Sequence, residues 1–234
     1  MITSLTNEKI KELVKLNNSK NRKLAGKFLV EGPHLVLEAK NAGVLEMVIT
    51  TDANIEGLLV SEAVMKKIAN TVNPVKVIGL CKMIKKEEIS NRVLILDDIQ
   101  DPTNLGTILR TAKAFGFNTV FASNNTVDFY NDKVIRGSQG AIFKLNLIAG
   151  DIISFINKLK NTHKVYGTNV RNGIDVKDIS CSNNIAVVLG NEGRGVKEEV
   201  EALCHKNLYI ALDNMESLNV SVAGAILMYE LAKK

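Results

Sequence analysis

The sequence contains no apolar run approaching the roughly 18 residues that a membrane-spanning helix needs, which excludes a helical membrane protein. Its opening residues, Met-Ile-Thr-Ser-Leu-Thr-Asn-Glu-Lys, lack the charged and then apolar layout of a secretory signal, so the expectation is cytoplasmic. The three cysteines, Cys81, Cys181 and Cys204, are widely spaced and never form a Cys-x-x-Cys pair. That spacing argues against a disulfide framework or a thiolate metal site and for reduced, structural residues. His34, His163 and His205 show no ligand spacing, so metal catalysis is not expected. Neither the P-loop order of glycines nor Gly-x-Gly-x-x-Gly occurs, which disfavours a nucleotide-dependent oxidoreductase. There is no internal repeat and no low-complexity tract.

What is present is a folded composition. With 46% hydrophobic and 24% charged residues, 234 residues suffice for one large domain or two ordinary ones. The net charge of +5 is unevenly distributed: residues 1–92 hold 15 Lys and Arg against 10 Asp and Glu, and residues 93–234 hold 15 against 15. The excess gathers in Lys9, Lys11, Lys15, Lys20, Arg22, Lys23 and Lys27, with Glu12 the one acid among them. Such a cluster suits a phosphate backbone, although a solvated face is the commoner meaning of a lysine run.

The hydrophobic pattern alternates between strand and helix. In the first part, helix is expected over 7–18, 33–42 and 61–71, and strand over 27–31, 44–50 and 75–81, with the basic run as a loop. This makes a small α/β domain over residues 1–90, with Lys82 to Arg92 as the linker. From residue 91 onward, strands are expected at 93–98, 119–122, 143–148, 163–168, 185–190 and 207–212. Uninterrupted runs such as Val93-Leu-Ile-Leu96 and Ile185-Ala-Val-Val-Leu189 read as strands buried on both faces, hence a mainly parallel sheet over 91–234.

Three blocks in this second part join a strand to polar residues suited to chemistry. They are Leu94-Ile-Leu-Asp-Asp-Ile-Gln-Asp-Pro-Thr-Asn-Leu-Gly-Thr-Ile-Leu-Arg110, Val188-Leu-Gly-Asn-Glu-Gly-Arg-Gly195 and Ile210-Ala-Leu-Asp-Asn-Met-Glu-Ser-Leu-Asn-Val-Ser221. Ligands of open α/β sheets sit beyond the carboxyl ends of the strands, so three such endings suggest one shared site. In the first block Asp101 caps a helix with Pro in its first turn, and Leu105, Ile108, Leu109, Ala112 and Phe115 form the buried stripe. Arg110 lies off that stripe, where it would grip a phosphate, stabilise a ribose oxyanion, or pair with Asp97 or Asp98. The glycines of the second block suit close backbone approach to a ligand or a simple tight turn. In the third, Ser217 is expected to cap a helix from Leu218 to about Lys233 that is apolar nearly all round. Asn219 on that apolar helix is otherwise hard to place, and a hydrogen bond to a loop would account for it.

Together the blocks resemble the three motifs of the SpoU (TrmH-like) branch of the SPOUT RNA methyltransferases. The resemblance extends to Phe28-Leu-Val-Glu-Gly-Pro-His-Leu-Val-Leu-Glu-Ala39, similar to the small substrate-binding domain that many members carry. It implies a SPOUT domain with a deep trefoil knot, a homodimer formed through it, and S-adenosylmethionine-dependent 2′-O-methylation of RNA. Ribosomal RNA, 23S in particular, is the favoured substrate; transfer RNA methylation, or a non-catalytic RNA-binding or ribosome-assembly factor, is the alternative. By resemblance Arg110 is catalytic, supported by Asn104, Glu192, Ser217 and Asn219. Thr168, Leu189, Gly190, Asn191, Glu192, Gly193, Ile210, Leu212, Leu218 and Asn219 would hold the cofactor. Arg136-Gly-Ser-Gln-Gly140 resembles a stretch near RNA in relatives, so Arg136 and Ser138 join Lys20, Arg22, Lys23 and Lys27 as RNA-binding candidates. Arginine is effectively always protonated, so Arg110 is read as an electrostatic and orienting group and the general base stays unassigned.

Overall fold

The computed structural model describes residues 1–83, 88–170, 173–179 and 183–233, which form two compact units. The expected linker at Lys82 to Arg92 falls partly, and Cys181 wholly, outside the described residues.

The first unit takes residues 1–83 together with Tyr130–Phe143, a segment that sequence had assigned to the second part of the chain. Its elements are α1 (Glu8–Lys15), α2 (Ser19–Ala25), β1 (Lys27–Glu31), α3 (Pro33–Asn41), β2 (Leu45–Thr50), β3 (Leu58–Leu59), α4 (Glu62–Ile68) and β4 (Val77–Lys82). The basic run is therefore a helix and not a loop. Asn18 caps α2 by accepting the Lys20 N–H, and Gly26, at φ 64°, ends it in the left-handed conformation that glycine adopts without strain. The sheet has the order β1-β4-β2-β3, with β4 antiparallel to both neighbours. Ile10 and Leu13 of α1 and Val64, Met65 and Ile68 of α4 close over Ile49 and Ile78. In the later segment, α6 (Asp132–Ser138) and a 3-10 turn (Ala141–Phe143) pack in this unit, Tyr130 and Phe143 flanking Phe28.

The second unit is built on β5 (Arg92–Leu96), α5 (Pro102–Ala114), β6 (Thr119–Ser123), β7 (Asn146–Gly150), α7 (Ile152–Leu159) and β8 (Lys164–Thr168). It continues with β9 (Ile174–Asp175), β10 (Ile185–Leu189), α8 (Glu198–Glu201), β11 (Lys206–Tyr209) and α9 (Val220–Ala232). The seven strands lie in the order β7-β6-β5-β10-β8-β11-β9, and every pairing is parallel. The apolar runs account for this, since all five residues of β10 are buried and β5 is buried from Val93 on. From β5 the chain builds outward to β6 and β7, then crosses to β8, and β10 later inserts between β5 and β8. Leu96 and Leu189 are register partners, so the loops that follow β5 and β10 emerge side by side.

Candidate active site

The three polar blocks converge on the Glu192 carboxylate. Asp101 starts α5 by accepting the N–H groups of Thr103 (2.6 Å) and Asn104 (3.3 Å), which fixes the orientation of the first turn. Glu192 completes that terminus from the next loop: Oε2 accepts the Gln100 N–H at 3.3 Å, and Oε1 accepts the Asp101 N–H at 3.1 Å and Asn104 Nδ2 at 3.1 Å. Asn104 Oδ1 in turn accepts from Asn219 Nδ2 at 3.0 Å, and Asn219 Oδ1 accepts the Ser221 N–H (2.8 Å) and hydroxyl (2.7 Å). Burial alone would raise the Glu192 pKa. Hydrogen bonds from its own backbone, Asn104, Asp101 and Gln100 outweigh that and hold the carboxyl below its ordinary range.

Asn219, not Ser217, caps the last helix, which begins at Val220 and not at Leu218. The physical reason is that the Asn219 side chain reaches Ser221 N–H while Ser217 remains in the exposed segment before it. Asn219 thus serves as the helix cap and joins the polar network through its other end.

The glycine-rich turn is held by Asn191. Its backbone forms a two-way bridge with Gly195, 2.9 Å in each direction, and its Oδ1 accepts the N–H groups of Gly193 and Arg194. A Cβ on Gly190 would lie 2.1 Å from the Gly195 carbonyl carbon and the Val196 nitrogen, so only glycine fits where the two arms of the turn touch. The turn borders a cleft of about 350 Å³, walled also by Thr168, Ile210, Leu212, Leu218 and Glu201. Every cofactor-binding candidate lines it except Asn219, which stands in the adjoining network.

Beneath the turn lies a buried charge network that the sequence reading missed. Asp97 and Asp98 at the end of β5 are 0% and 2% exposed, and Lys197 Nζ meets them at 3.3 Å and 2.7 Å. The Lys197 N–H also donates to Asp97 Oδ2 at 2.9 Å. Asp98 takes φ 60°, an unfavourable conformation for a side-chain-bearing residue, and its surroundings impose it. Its N–H donates to Ser123 Oγ, the Ser123 hydroxyl donates back to Oδ1, and its carbonyl accepts from Asn191 Nδ2. Burial pushes the Asp98 pKa up, but the contacts with Lys197, Ser123 and Asn125 more than reverse it and bring it below the usual carboxylate range. A buried Asp-Asp pair at a strand end demands a cation, and Lys197, two residues beyond Gly195, was the residue to look for.

With both aspartates engaged by Lys197, Arg110 is left without them. It is exposed, and among the described residues its guanidinium has no hydrogen-bond or ion-pair partner. It stands six residues along α5 from Asn104, about 9 Å further on, outside the cleft wall. Glu192 therefore orders Asn104 and the start of α5, and not Arg110.

Of the RNA-binding candidates, Lys20 and Lys23 are exposed. Arg22 is not: it is 6% exposed, and its Nη1 donates to the carbonyls of Leu16 and Asn17, tying α2 to the end of α1. Lys27 pairs with Glu46 at 2.7 Å and Arg136 with Asp132 at 2.9 Å, while Ser138 is fully buried and donates to Ile135 O. The thiols of Cys81 and Cys204 are pushed up to about 12, chiefly by burial, which keeps them protonated and unreactive.

A parallel sheet whose acidic, glycine-rich and asparagine-bearing loops meet at the carboxyl ends of its strands defines an α/β ligand-binding domain. The chain belongs to the SpoU rRNA methylase family, whose sequence model matches residues 91–229; that of an MRM3-like substrate binding domain matches residues 7–79. It is 36% identical to the 23S rRNA (guanosine(2553)-2′-O)-methyltransferase RlmP of Bacillus subtilis, over 98% of each chain. Among solved structures it resembles a TrmH-family protein of Porphyromonas gingivalis, with 30% identity, a TM-score of 0.87 and coverage of 97% of this chain and 98% of the other. It also resembles an AdoMet-bound rRNA methyltransferase of Sinorhizobium meliloti, at 25% identity, a TM-score of 0.88 and coverage of 99% and 97%.

Proposed function

We propose that this protein is an S-adenosylmethionine-dependent RNA 2′-O-ribose methyltransferase that acts on 23S ribosomal RNA in the cytoplasm. The observation that carries the reading is the continuous hydrogen-bond chain Gln100/Asp101–Glu192–Asn104–Asn219–Ser221, which ties the loop after β5 to Glu192 on the cleft wall and to the start of α9. The likeness to the Bacillus subtilis enzyme supports the substrate, and the AdoMet-bound Sinorhizobium meliloti structure supports the cofactor.

The cleft suits that cofactor: its volume falls in the usual range for small-molecule sites, and apolar Leu189, Ile210 and Leu218 line it together with polar Thr168 and Asn191. When bound, the cofactor supplies a methyl group on a positively charged sulfur. Gly190 and the 210–218 segment would hold it, and Asn104 and Asn219 would fix the loop that faces the ribose. Glu192, with both oxygens already accepting hydrogen bonds, stays ionised and braces the site. Arg110, unpaired and exposed, offers its fork to the oxyanion that develops on the attacking 2′-oxygen. Direct displacement calls for no nucleophilic side chain, and position and electrostatics supply the rate.

Residues 1–90, joined by Tyr130–Phe143, serve as the RNA-binding domain, and the remainder of 91–234 as the methyltransferase domain, threaded as a deep trefoil knot. Two copies associate through the knotted region, where the exposed Val222 and Tyr229 of α9 offer apolar surface. Mapping 2′-O-methyl groups in 23S rRNA from cells with and without the gene tests the reading. One nucleotide should lose its modification, and purified protein with S-adenosylmethionine should restore it. An unchanged ribosomal map together with a lost transfer RNA modification would redirect the substrate assignment, and no change in either would sink the enzymatic one.

A further inference from the structure

Glu201, at the end of α8, is a half-buried carboxylate on the cleft wall that the network around Glu192 does not use. Its Oε1 accepts from Asn169 Nδ2 at 2.9 Å and from Asn207 Nδ2. Among the described residues Oε2 has no partner, and no Lys, Arg or His pairs with the group. The two amides orient the carboxylate without cancelling its charge. The Asn207 Oδ1 lies under Gly167, where any larger residue would collide with it. The other acids of the cleft are differently placed: Glu192 is saturated with donors, and Glu216 stands in an exposed segment.

An oriented acceptor with a free oxygen and no protein cation is open to a donor from the ligand. S-adenosylmethionine carries three kinds of donor: the adenine amine, the ribose hydroxyls and the α-ammonium group. Only the last is charged, and a hydrogen bond between ions is roughly twice as strong as a neutral one, so it gains most from a partly desolvated carboxylate. We propose that Glu201 is a specificity-determining residue that binds the α-ammonium group of the cofactor's methionine moiety. This rests on the methyltransferase reading and deepens it by giving the methionine end of the ligand its own anchor.

The test is calorimetric titration of full-length protein and its Glu201→Gln variant with three ligands. They are S-adenosylmethionine, S-adenosylhomocysteine and 5′-methylthioadenosine, the last retaining adenine and ribose but no ammonium group. Glutamine keeps the acceptor for Asn169 and Asn207, so the wall stays built while its charge is removed. Binding of the first two ligands should weaken by about tenfold or more, the scale of one charge-assisted hydrogen bond, and that of methylthioadenosine should stay within about twofold. Equal weakening of all three would mean that Glu201 only shapes the wall or reads the nucleoside, and would overturn the proposal. So would three unchanged affinities. Failure of the unsubstituted protein to bind any of the three would instead overturn the cofactor reading itself.

Discussion

Single residues carry two different kinds of legibility in this chain. Asn104, Glu192 and Asn219 stand in the sequence as polar residues in blocks that follow strands, and the structure ties them into one network. Lys197 and Glu201 were opaque, because a lysine and a glutamate in a Lys-Glu-Glu-Val-Glu run read as a solvated helix face. Their meaning depends on what the sheet brings beneath them. Lys197 is the clearest case, since its ammonium group meets two aspartates that have almost no access to water. Lys197→Met should therefore destabilise the protein by about 2–3 kcal/mol at neutral pH, less than the loss for a fully buried pair because a third of the lysine faces solvent. The sign of the pH dependence follows from Asp98. Its folded pKa is depressed, so the pair's contribution is complete above the unfolded carboxylate value near about 4 and is lost as pH falls through the folded one. Urea unfolding of both proteins should show a gap that is widest at pH 7 and closes in acid. A gap that persists at low pH would mean that the lysine acts through packing alone.

At the scale of elements, the strands were the most readable part, since continuous apolar runs leave β5 and β10 no alternative to burial on both faces. Helix boundaries were less so. The run Ser19–Ala25 looks like a loop because Lys20, Asn21, Arg22 and Lys23 leave it no apolar stripe, yet Asn18 caps it and Arg22 folds inward to hold it. The start of α9 is displaced because Ser217 and Asn219 are both good caps and only tertiary contact with Asn104 chooses between them. The glycine turn was recognisable as a type of loop, but which glycine is indispensable was not. Gly190→Ala forces a Cβ into the backbone of Gly195 and Val196, while a Cβ on Gly193 meets nothing nearer than Asn191 Oδ1 at 3.7 Å. Thermal unfolding should accordingly fall sharply for Gly190→Ala and change little for Gly193→Ala, within about 0.5 kcal/mol of the parent. If the two behave alike, the turn is more plastic than its Asn191 bridge implies.

Charge is unevenly divided over the whole molecule. The basic excess is confined to residues 1–92, and the polar network and cleft lie within residues 97–227. Sequence showed this partition through arithmetic alone, but it could not tell which basic residues face water, because side-chain direction is decided by packing. Lys9, Lys15, Lys20 and Lys23 are exposed, whereas Arg22 bonds to backbone carbonyls and Lys27 is paired with Glu46. Replacing Lys15, Lys20 and Lys23 together by glutamine should therefore weaken RNA binding and flatten its dependence on salt, since each lost phosphate contact removes about one released counterion. Affinity for S-adenosylmethionine and thermal stability should barely move, because exposed charges away from special features contribute little to folding. Arg22→Gln should do the opposite, costing stability by stranding two carbonyls while leaving the salt slope of whatever folds unchanged. Filter binding across a salt series, paired with melting curves, separates the two. An intact slope in the triple variant would reduce the lysine cluster to a solvated face and leave recognition to be sought around Arg136, whose pairing with Asp132 still leaves it partly exposed.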